Sequence, residues 1–253
     1  MRCLKLIIAF DGSSYCGWQR QLTDSTIQSV IEGCLKTMTQ ESITLHGAGR
    51  TDAGVHALGM AASFSTHSAI ASHGLLKGLN RLLPRDIRIL AVTEERDDFH
   101  ARFSCVGKEY CYKFSCASIM YPGDRLYMAH FPGDFDQNIA QQCLDLLVGE
   151  HDFLSFEAVG SRDRSFDGGR GAVRTIFRAE IKCDPAHESH YAITIAGDGF
   201  LRHMVRNIVG TVIRTAQGKR TVNEFAAVFA SKDRSCADAT APAHGLILTE
   251  VFY

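Results

Sequence analysis

Short apolar runs alternate with helical apolar stripes along the chain, and this pattern predicts its elements. In the first hundred residues it predicts strands over 3–10, 43–47, 59–65 and 87–93, and helices over 26–39 and 68–82. The first helix carries apolar residues every three to four positions from Ile27 to Met38, and Ser25 or Thr26 can cap it. The resulting order, β-α-β-β-α-β, is that of a split ferredoxin-like unit.

The remainder of the chain predicts a second α+β half. A strand over 105–115 restarts the pattern, followed by a helix over 136–148, strands near 172–183 and 190–196, helices near 201–217 and 222–230, and a last strand near 246–252. No internal sequence repeat is visible, so the two-halves interpretation depends on element order and on the resemblance given below. It divides the chain into residues 1–104 and 105–253.

Composition is that of an ordinary globular protein. Hydrophobic residues make up 45% of the 253 positions and charged residues 22%. No apolar stretch approaches the roughly 20 residues that a membrane-spanning helix needs. The apolar N-terminal run is shorter than a signal sequence core and leads straight into Asp11 and Gly12. Nine cysteines without a C-x-x-C pair indicate neither a disulfide framework nor a zinc site. We therefore expect a cytoplasmic protein that binds no metal and no membrane.

The charge distribution bears on the choice of partner. A formal net charge of -1 argues mildly against a nucleic-acid-binding protein. The segment from Gly199 to Arg220, however, carries five basic residues and no acid: Arg202, Arg206, Arg214, Lys219 and Arg220. One face can therefore be basic, although Lys219 and Arg220 can equally be ordinary solvated helix residues.

The segment Gly49-Arg50-Thr51-Asp52-Ala53-Gly54-Val55-His56-Ala57 is the strongest candidate for chemistry. Two glycines bracket an Arg and an Asp between predicted strands, which would present the carboxylate on a rigid support. Taken alone, an Asp in such a turn more often bonds its own backbone. A phosphate-binding loop is disfavoured, because the glycine spacing is wrong and no Lys follows.

Five collinear segments together resemble one family. They are FDGSSYCGWQRQ at 10–21, GRTDAGVHA at 49–57, FHARFSCVGKEYCY at 99–112, GDGFLRHMVRNIVGT at 197–211 and APAHGLILTEVFY at 241–253. This chain resembles the bacterial TruA-type tRNA pseudouridine synthases. The resemblance implies an α+β fold of two similar ferredoxin-like halves, with mainly antiparallel sheets joined side by side around a central positively charged cleft.

The same resemblance implies the activity and the partners. Members isomerise uridine to pseudouridine at positions 38, 39 and 40, in the anticodon stem and loop of tRNA. They need no cofactor, and they act as homodimers that recognise the anticodon arm. Asp52 is then the catalytic residue, either as a nucleophile at C1′ of the ribose or as a base at C2′, and the sequence does not decide between these routes.

Five further residues are predicted to bind substrate: Tyr110, Arg50, Arg206, Arg202 and His203. Strand alternation places Tyr110 on one face with Tyr112, where it would ordinarily be a core residue, but the resemblance makes it the tyrosine that stacks on the target base. Arg50 would support the extruded nucleotide, and Arg206 would form an ion pair with Asp52. Arg202 lies one turn from Arg206.

His203 is either a helix-surface residue or a phosphate contact. Phe99 and Phe103 are expected in the core, although their segment could add RNA backbone contacts. The polar loop over 161–171 is equally compatible with an RNA-contacting flap and a mobile loop. The chain departs from the common family sequence at two positions, with Phe10 in place of Tyr and Cys105 in place of Ala. Neither residue has a role in the proposed mechanism.

Two functions of other classes remain as alternatives. A non-catalytic RNA chaperone could use the same basic cleft, and it would tolerate loss of Asp52. A nucleotide hydrolase could use the glycine loop, but it would need a cluster of metal-binding carboxylates that the sequence does not place around Asp52.

Overall fold

A computed structural model describes residues 1–161 and 170–253, so most of the 161–171 loop lies outside the described residues. The elements in chain order are β1 (Arg2–Phe10), α1 (Ile27–Thr39), β2 (His46–Gly47), β3 (His56–Thr66), α2 (Ser72–Leu82), β4 (Ile87–Glu95), β5 (Gly107–Ser115), β6 (Ala129–His130), α3 (Gln137–Asp145), β7 (Gly149–Asp152), β8 (Val173–Asp184), β9 (His187–Gly197), α4 (Met204–Ala216), α5 (Val222–Ser231) and β10 (Leu246–Phe252). Two compact units result, one comprising Met1–Val106 with Ile247–Tyr253 and the other Gly107–Leu246.

The first unit has the strand order of a ferredoxin-like sheet. Strand β1 lies between β4 and β3 and is antiparallel to both. Two strands share the far edge of β3. Strand β2 pairs antiparallel with Ala62 and Ser63, and β10 pairs in parallel with His56 and Ala57. The C-terminal strand therefore extends the edge of β3 immediately after the Asp52 segment.

Apolar periodicity explains the core of this unit. Leu4, Leu6 and Ile8 of β1 are fully buried, in alternation along the strand. Helix α1 buries Ile27, Ile31 and Leu35 at the predicted spacing. Each such side chain contributes roughly 1.5–3 kcal/mol of transfer free energy. The predicted cap is Thr26, whose hydroxyl accepts from the backbone N–H of Ser29 at 3.3 Å while Ser29 bonds back.

The second unit contains an antiparallel sheet of β5, β9, β8 and β7 in that order, with the short β6 parallel to β5. Helix α3 packs against β8 and α4. Helix α4 is buried over nearly its whole length, and its predicted stripe is confirmed by the burial of Met204, Val205, Ile208, Val209 and Val212. The α+β class and the two mainly antiparallel halves are thus confirmed.

Three details differ from the sequence prediction. The strand expected over 43–47 is reduced to His46–Gly47, because the backbone groups of Leu45 bond to side chains of α1 and not to a neighbouring strand. The helix expected over 136–148 ends at Asp145, and Gly149, at φ +111°, begins β7. Strands β6 and β7 have two and four residues, which is too short for a periodic signal.

In the described part of the chain, no helix has the length and apolar character needed to cross a bilayer.

Candidate active site

The Asp52 segment forms a four-residue turn at the start of β3. The backbone N–H of Val55 donates to the carbonyl oxygen of Asp52 at 3.2 Å, which closes the turn. Gly54 occupies its third position with φ +78°, a left-handed conformation that favours glycine. Asp52 itself is partly exposed, whereas Val55 and His56 are buried. The turn therefore fixes the backbone of Asp52 at a partly exposed position.

The segment over 12–18 packs against the backbone of this turn. A Cβ on Gly12 would lie 2.0 Å from the carbonyl oxygen of Val55, and one on Gly17, at φ +85°, would lie 2.4 Å from that of Thr51. Only glycine permits such close backbone approach. The N–H of Trp18 donates to the carbonyl oxygen of Thr51 at 3.2 Å. The family-like motif over 10–21 thus contacts the motif over 49–57 and holds its backbone in place.

A chain of side-chain hydrogen bonds connects Arg50 to helix α1. Arg50 is exposed, and its Nε donates to Oε1 of Gln19 at 3.2 Å. Gln19 in turn donates to Oε1 of Gln28 at 3.0 Å. Gln28 donates to Oε1 of Glu32, also at 3.0 Å, and both of these residues are buried. The orientation of Arg50 is therefore tied to a polar network inside the first unit.

Tyr110 lies on β5 in the second unit. It pairs in register with Ile195 of β9, and its side chain is 8% exposed. Its ring meets Phe200 edge to face, with centroids 5.1 Å apart. Tyr112 and Phe114 on the same face are fully buried, which confirms the predicted alternation.

Arg206 fastens the segment after α5 to helix α4. Its Nε donates to the carbonyl oxygen of Ala241 at 2.7 Å, and the N–H of Ala241 donates to the carbonyl oxygen of Arg206 at 3.1 Å. Nearby, the hydroxyl of Tyr112 donates to the carbonyl oxygen of Pro242 at 2.9 Å. Burial raises the pKa of Tyr112, and the positive charge of Arg206 offsets part of that rise. Arg206 thus holds the segment at Ala241 against α4 and also lowers the pKa of Tyr112 from the value that burial alone would give.

Arg202 and His203 precede the first turn of α4 and line an open groove of about 840 Å³. Arg234 adds positive charge to the groove, Lys232 adds a charge that Asp152 partly balances at 3.3 Å, and Asp233 contributes an acid. His203 occupies the N-cap position with φ +62°. The positive end of the α4 dipole adds to the basic character of this groove, which favours an anion.

The basic segment over 199–220 is only partly available for binding. Asp238, from outside that segment, lies 2.8 Å from Nε of Arg220 and 3.8 Å from Nε of Arg214. The free positive charge of this segment is therefore smaller than its sequence indicates, because an acid from outside the segment balances part of it. Arg202 is exposed and lines the groove, so it is the better candidate for a phosphate contact.

The comparisons with known proteins agree with this picture. A protein-family model described as tRNA pseudouridine synthase matches residues 6–104 and 144–253. These two ranges cover more than half of the chain, including the Asp52 turn and helix α4. The chain belongs to the tRNA pseudouridine synthase family. Tyr110 falls between the two matched ranges.

Full-length relatives carry the same family name. The chain is 50% identical to "tRNA pseudouridine synthase A 1" of Desulfotalea psychrophila, with all of both chains covered. It is 43% identical to "tRNA pseudouridine synthase A 1" of Protochlamydia amoebophila, covering 100% of this chain and 97% of the other. It is 40% identical to "tRNA pseudouridine synthase A" of Lacticaseibacillus casei, covering 98% of each.

Among solved structures, a Cbf5–Nop10–Gar1 complex aligns with a TM-score of 0.42 and 11% identity, covering 97% of this chain and 48% of that one.

Sequence reasoning missed several residues that shape this tRNA pseudouridine synthase. Gln28 and Glu32 lie four residues apart within the apolar face of α1, and buried polar residues in such a face signal a network. Asn207, also fully buried, donates to the carbonyl oxygen of Phe156 and accepts from Arg234. In the part of the chain that the structure describes, no three His, Cys, Asp or Glu side chains form a group suited to a metal ion.

Proposed function

We propose that this family member isomerises uridine to pseudouridine in tRNA, at positions 38, 39 and 40 of the anticodon stem and loop. The observation that carries the proposal is the full-length relationship to proteins named tRNA pseudouridine synthase A, at up to 50% identity among those compared. The braced turn around Asp52 supports it, since a catalytic group benefits from a rigid mount.

Asp52 is the proposed catalytic residue. In the reaction the bond from C1′ of the ribose to N1 of the uracil breaks, and a bond from C1′ to C5 forms. The proton on C5 leaves and N1 gains a proton. Substrate and product are therefore isomers at the same oxidation level, and the reaction needs no cofactor. The carboxylate either attacks C1′ directly or removes the proton at C2′ to give a glycal, while the detached uracil turns over.

Two arginines and a tyrosine are proposed to prepare the nucleotide. Arg50 supports the nucleotide after it is extruded, which costs a few kcal/mol that protein contacts must offset. Tyr110 stacks on the target base and accepts a proton from it. Arg206 forms the ion pair that keeps Asp52 ionised, because a neighbouring positive charge stabilises a carboxylate.

Arg202 and His203 are proposed to contact the phosphate backbone of the RNA. Both line the basic groove at the start of α4, where the helix dipole also favours an anion. We further propose that the enzyme acts in the cytoplasm as a homodimer, and that residues 1–104 supply the Asp52 turn while 105–253 supply Tyr110 and the basic helix.

The deciding experiment incubates the purified protein with unmodified tRNA transcripts and maps pseudouridine along them. We expect pseudouridine at positions 38, 39 or 40 without any added cofactor, and none with Asp52→Asn. Tight binding without any product would favour the non-catalytic RNA-binding function. Nucleoside triphosphate hydrolysis that depends on a divalent metal ion would favour the hydrolase.

A further inference from the structure

Three aromatic rings meet on the surface of the first unit. His46 and His100 have ring centroids 4.9 Å apart, and those of His100 and Phe103 are 4.4 Å apart. The interplanar angles are 40° and 33°, so the rings lean against one another. Phe103 is 77% exposed, although the sequence predicts it in the core. This cluster of His46, His100 and Phe103 is called the aromatic platform below.

The turn that carries the platform is held rigidly. Nδ1 of His100 accepts from the backbone N–H groups of Arg102 at 3.1 Å and Phe103 at 3.4 Å. The N–H of His100 donates to Oγ of Ser104 at 3.1 Å, and the N–H of Ser104 donates back to the carbonyl oxygen of His100 at 2.9 Å. The exposed ring is thus part of an ordered turn and not of a frayed loop.

The same turn is anchored to the sheet. The N–H of Ala101 donates to Oγ of Ser63 at 2.9 Å, and its carbonyl oxygen accepts from the hydroxyl of Tyr253 at 2.8 Å. Ser63 on β3 is also the residue that pairs in register with His46. One buried strand residue therefore sets the positions of both ends of the aromatic platform.

A single exposed Phe is common on protein surfaces and needs no function. The platform differs because hydrogen bonds fix the turn that carries its exposed ring, a second ring backs it, and a cation accompanies it. The guanidinium carbon of Arg102, which is exposed, lies 5.8 Å from the centroid of Phe103. A flat apolar face beside a positive charge is the combination that binds single-stranded nucleic acid, through base stacking and phosphate attraction.

The platform is also close to the candidate active site within the first unit. His46 precedes Arg50 by four residues, and four extended residues span at most about 14 Å. An RNA held at the Asp52 turn can therefore reach the platform with a nearby nucleotide.

We propose that the aromatic platform stacks an unpaired nucleobase of the RNA substrate, distinct from the base that is isomerised. The inference rests on the proposed function for the identity of the RNA, but its chemistry requires only an unpaired base. Phe103 supplies the contact face, His100 fixes its tilt, and Arg102 attracts the adjoining phosphate.

The test measures the affinity of unmodified tRNA for Phe103→Leu and Phe103→Trp. Leucine keeps apolar volume but lacks an aromatic face, so binding should weaken roughly 5- to 150-fold, as expected for loss of one stacked base. Tryptophan should bind like the parent, and its fluorescence should be quenched by RNA. The natural Trp18 is only 2% exposed, and its own response to RNA is measured on the parent protein and subtracted. Because Phe103 is exposed, both variants should melt at the parent temperature.

Two further arms identify the contact. Phe103→Leu should leave the salt dependence of binding unchanged, whereas Arg102→Gln should reduce the log-log slope by about 0.7–0.9, the value for one phosphate contact. Abasic sites are placed one at a time through the anticodon arm of the RNA. One of them should weaken binding of the parent as much as Phe103→Leu does, and it should weaken binding of Phe103→Leu no further.

The proposal would be overturned if Phe103→Leu bound tRNA as tightly as the parent. It would also be overturned if the affinity losses from Phe103→Leu and from every abasic site simply added. A changed sedimentation coefficient with unchanged affinity per protomer would also overturn it and would identify Phe103 as a protein contact. Pseudouridine formation is scored separately on the parent protein. A parent that forms no pseudouridine while Phe103→Leu loses affinity would contradict the proposed function and leave the platform intact.

Discussion

Glu32 on helix α1 accepts a hydrogen bond from the backbone N–H of Leu45, with a donor–acceptor distance of 2.9 Å. The amide of Gln28 donates to the carbonyl oxygen of the same Leu45 at 3.0 Å. Both backbone groups of Leu45 are thus satisfied by helix side chains, so the chain enters β2 without a strand partner before it. The same Gln28 leads through Gln19 to Arg50.

The Glu32 network predicts a clear contrast between two substitutions. Glu32→Ala leaves the buried N–H of Leu45 and the amide of Gln28 without this acceptor, at roughly 1–3 kcal/mol for each group left unsatisfied. The melting temperature should fall by about 2–4 °C per kcal/mol for a chain of this size. Glu32→Gln keeps one acceptor oxygen for these donors and loses mainly the ion pair with Arg20, whose side chain is 56% exposed.

The pair is exposed at Arg20 but buried at Glu32, so Glu32→Gln loses an attraction and at the same time removes a buried charge. These two effects oppose each other, and Glu32→Gln should melt close to the parent. Thermal and urea unfolding measure both variants. Equal melting temperatures for Glu32→Ala and the parent would show that Leu45 is held by other contacts.

Arg206 predicts separable effects on stability and turnover. Arg206→Ala removes the donor to the buried Ala241 carbonyl, at a cost of about 1–3 kcal/mol, and it should also abolish turnover if the guanidinium keeps Asp52 ionised. Arg206→Lys keeps the charge but not the guanidinium geometry. We expect it to recover part of the turnover while its melting temperature stays low.

Single-turnover rates and melting curves are measured together for the two Arg206 variants. Near-parent turnover by Arg206→Ala would assign the ionisation of Asp52 to another group. A lysine variant as inactive as the alanine variant would show that geometry, and not charge alone, is required.

The two arginines at the ends of α4 predict different salt responses. Neutralising one phosphate contributes about 0.7–0.9 to the slope of log affinity against log salt. Arg202 is exposed in the basic groove, so Arg202→Ala should reduce the slope by about that amount. Arg214 lies 3.8 Å from Asp238 and serves as the matched control, since its charge is already partly balanced. A slope unchanged in Arg202→Ala would remove the groove from the RNA-binding surface.

Local signals predicted the regular elements well. The apolar stripes of α1 and α4 depend on residues three and four apart, and alternation along β5 depends on residues two apart, so both can be read without tertiary information. Thr26 was among the predicted caps for the same reason. The Asp52 turn was also predictable, because Gly54 has the positive φ that its sequence position suggests.

Long-range contacts account for what the sequence could not predict. Leu45 has the pattern of a strand residue, but two side chains from α1 replace its ladder bonds. Asp238 balances basic residues that are acid-free in their own segment. Phe103 looks like a core residue and is exposed, because the hydrogen bonds around His100 turn its ring outward. In each case the deciding partner is distant in sequence or lies in the geometry of a turn.

Asp52 provides the most direct prediction. The bond that closes its turn joins the backbone N–H of Val55 to the carbonyl oxygen of Asp52, so the side-chain carboxylate can be changed without breaking it. Asp52→Asn should therefore keep the fold and the affinity for tRNA, and lose turnover by several orders of magnitude, as expected for a single essential catalytic group. Single-turnover pseudouridine formation, tRNA affinity and melting temperature measure the three properties separately.

Gly54→Ala is the control for damage to the same turn. It forces a side chain into φ +78°, a conformation that costs roughly 1–2 kcal/mol for most residues, so its melting temperature should fall while the carboxylate remains. Its turnover should drop far less than that of Asp52→Asn, because the reacting group is still present. If Asp52→Asn instead melts early and keeps its turnover, the carboxylate stabilises the turn, and the catalytic group must be sought elsewhere in the family motif.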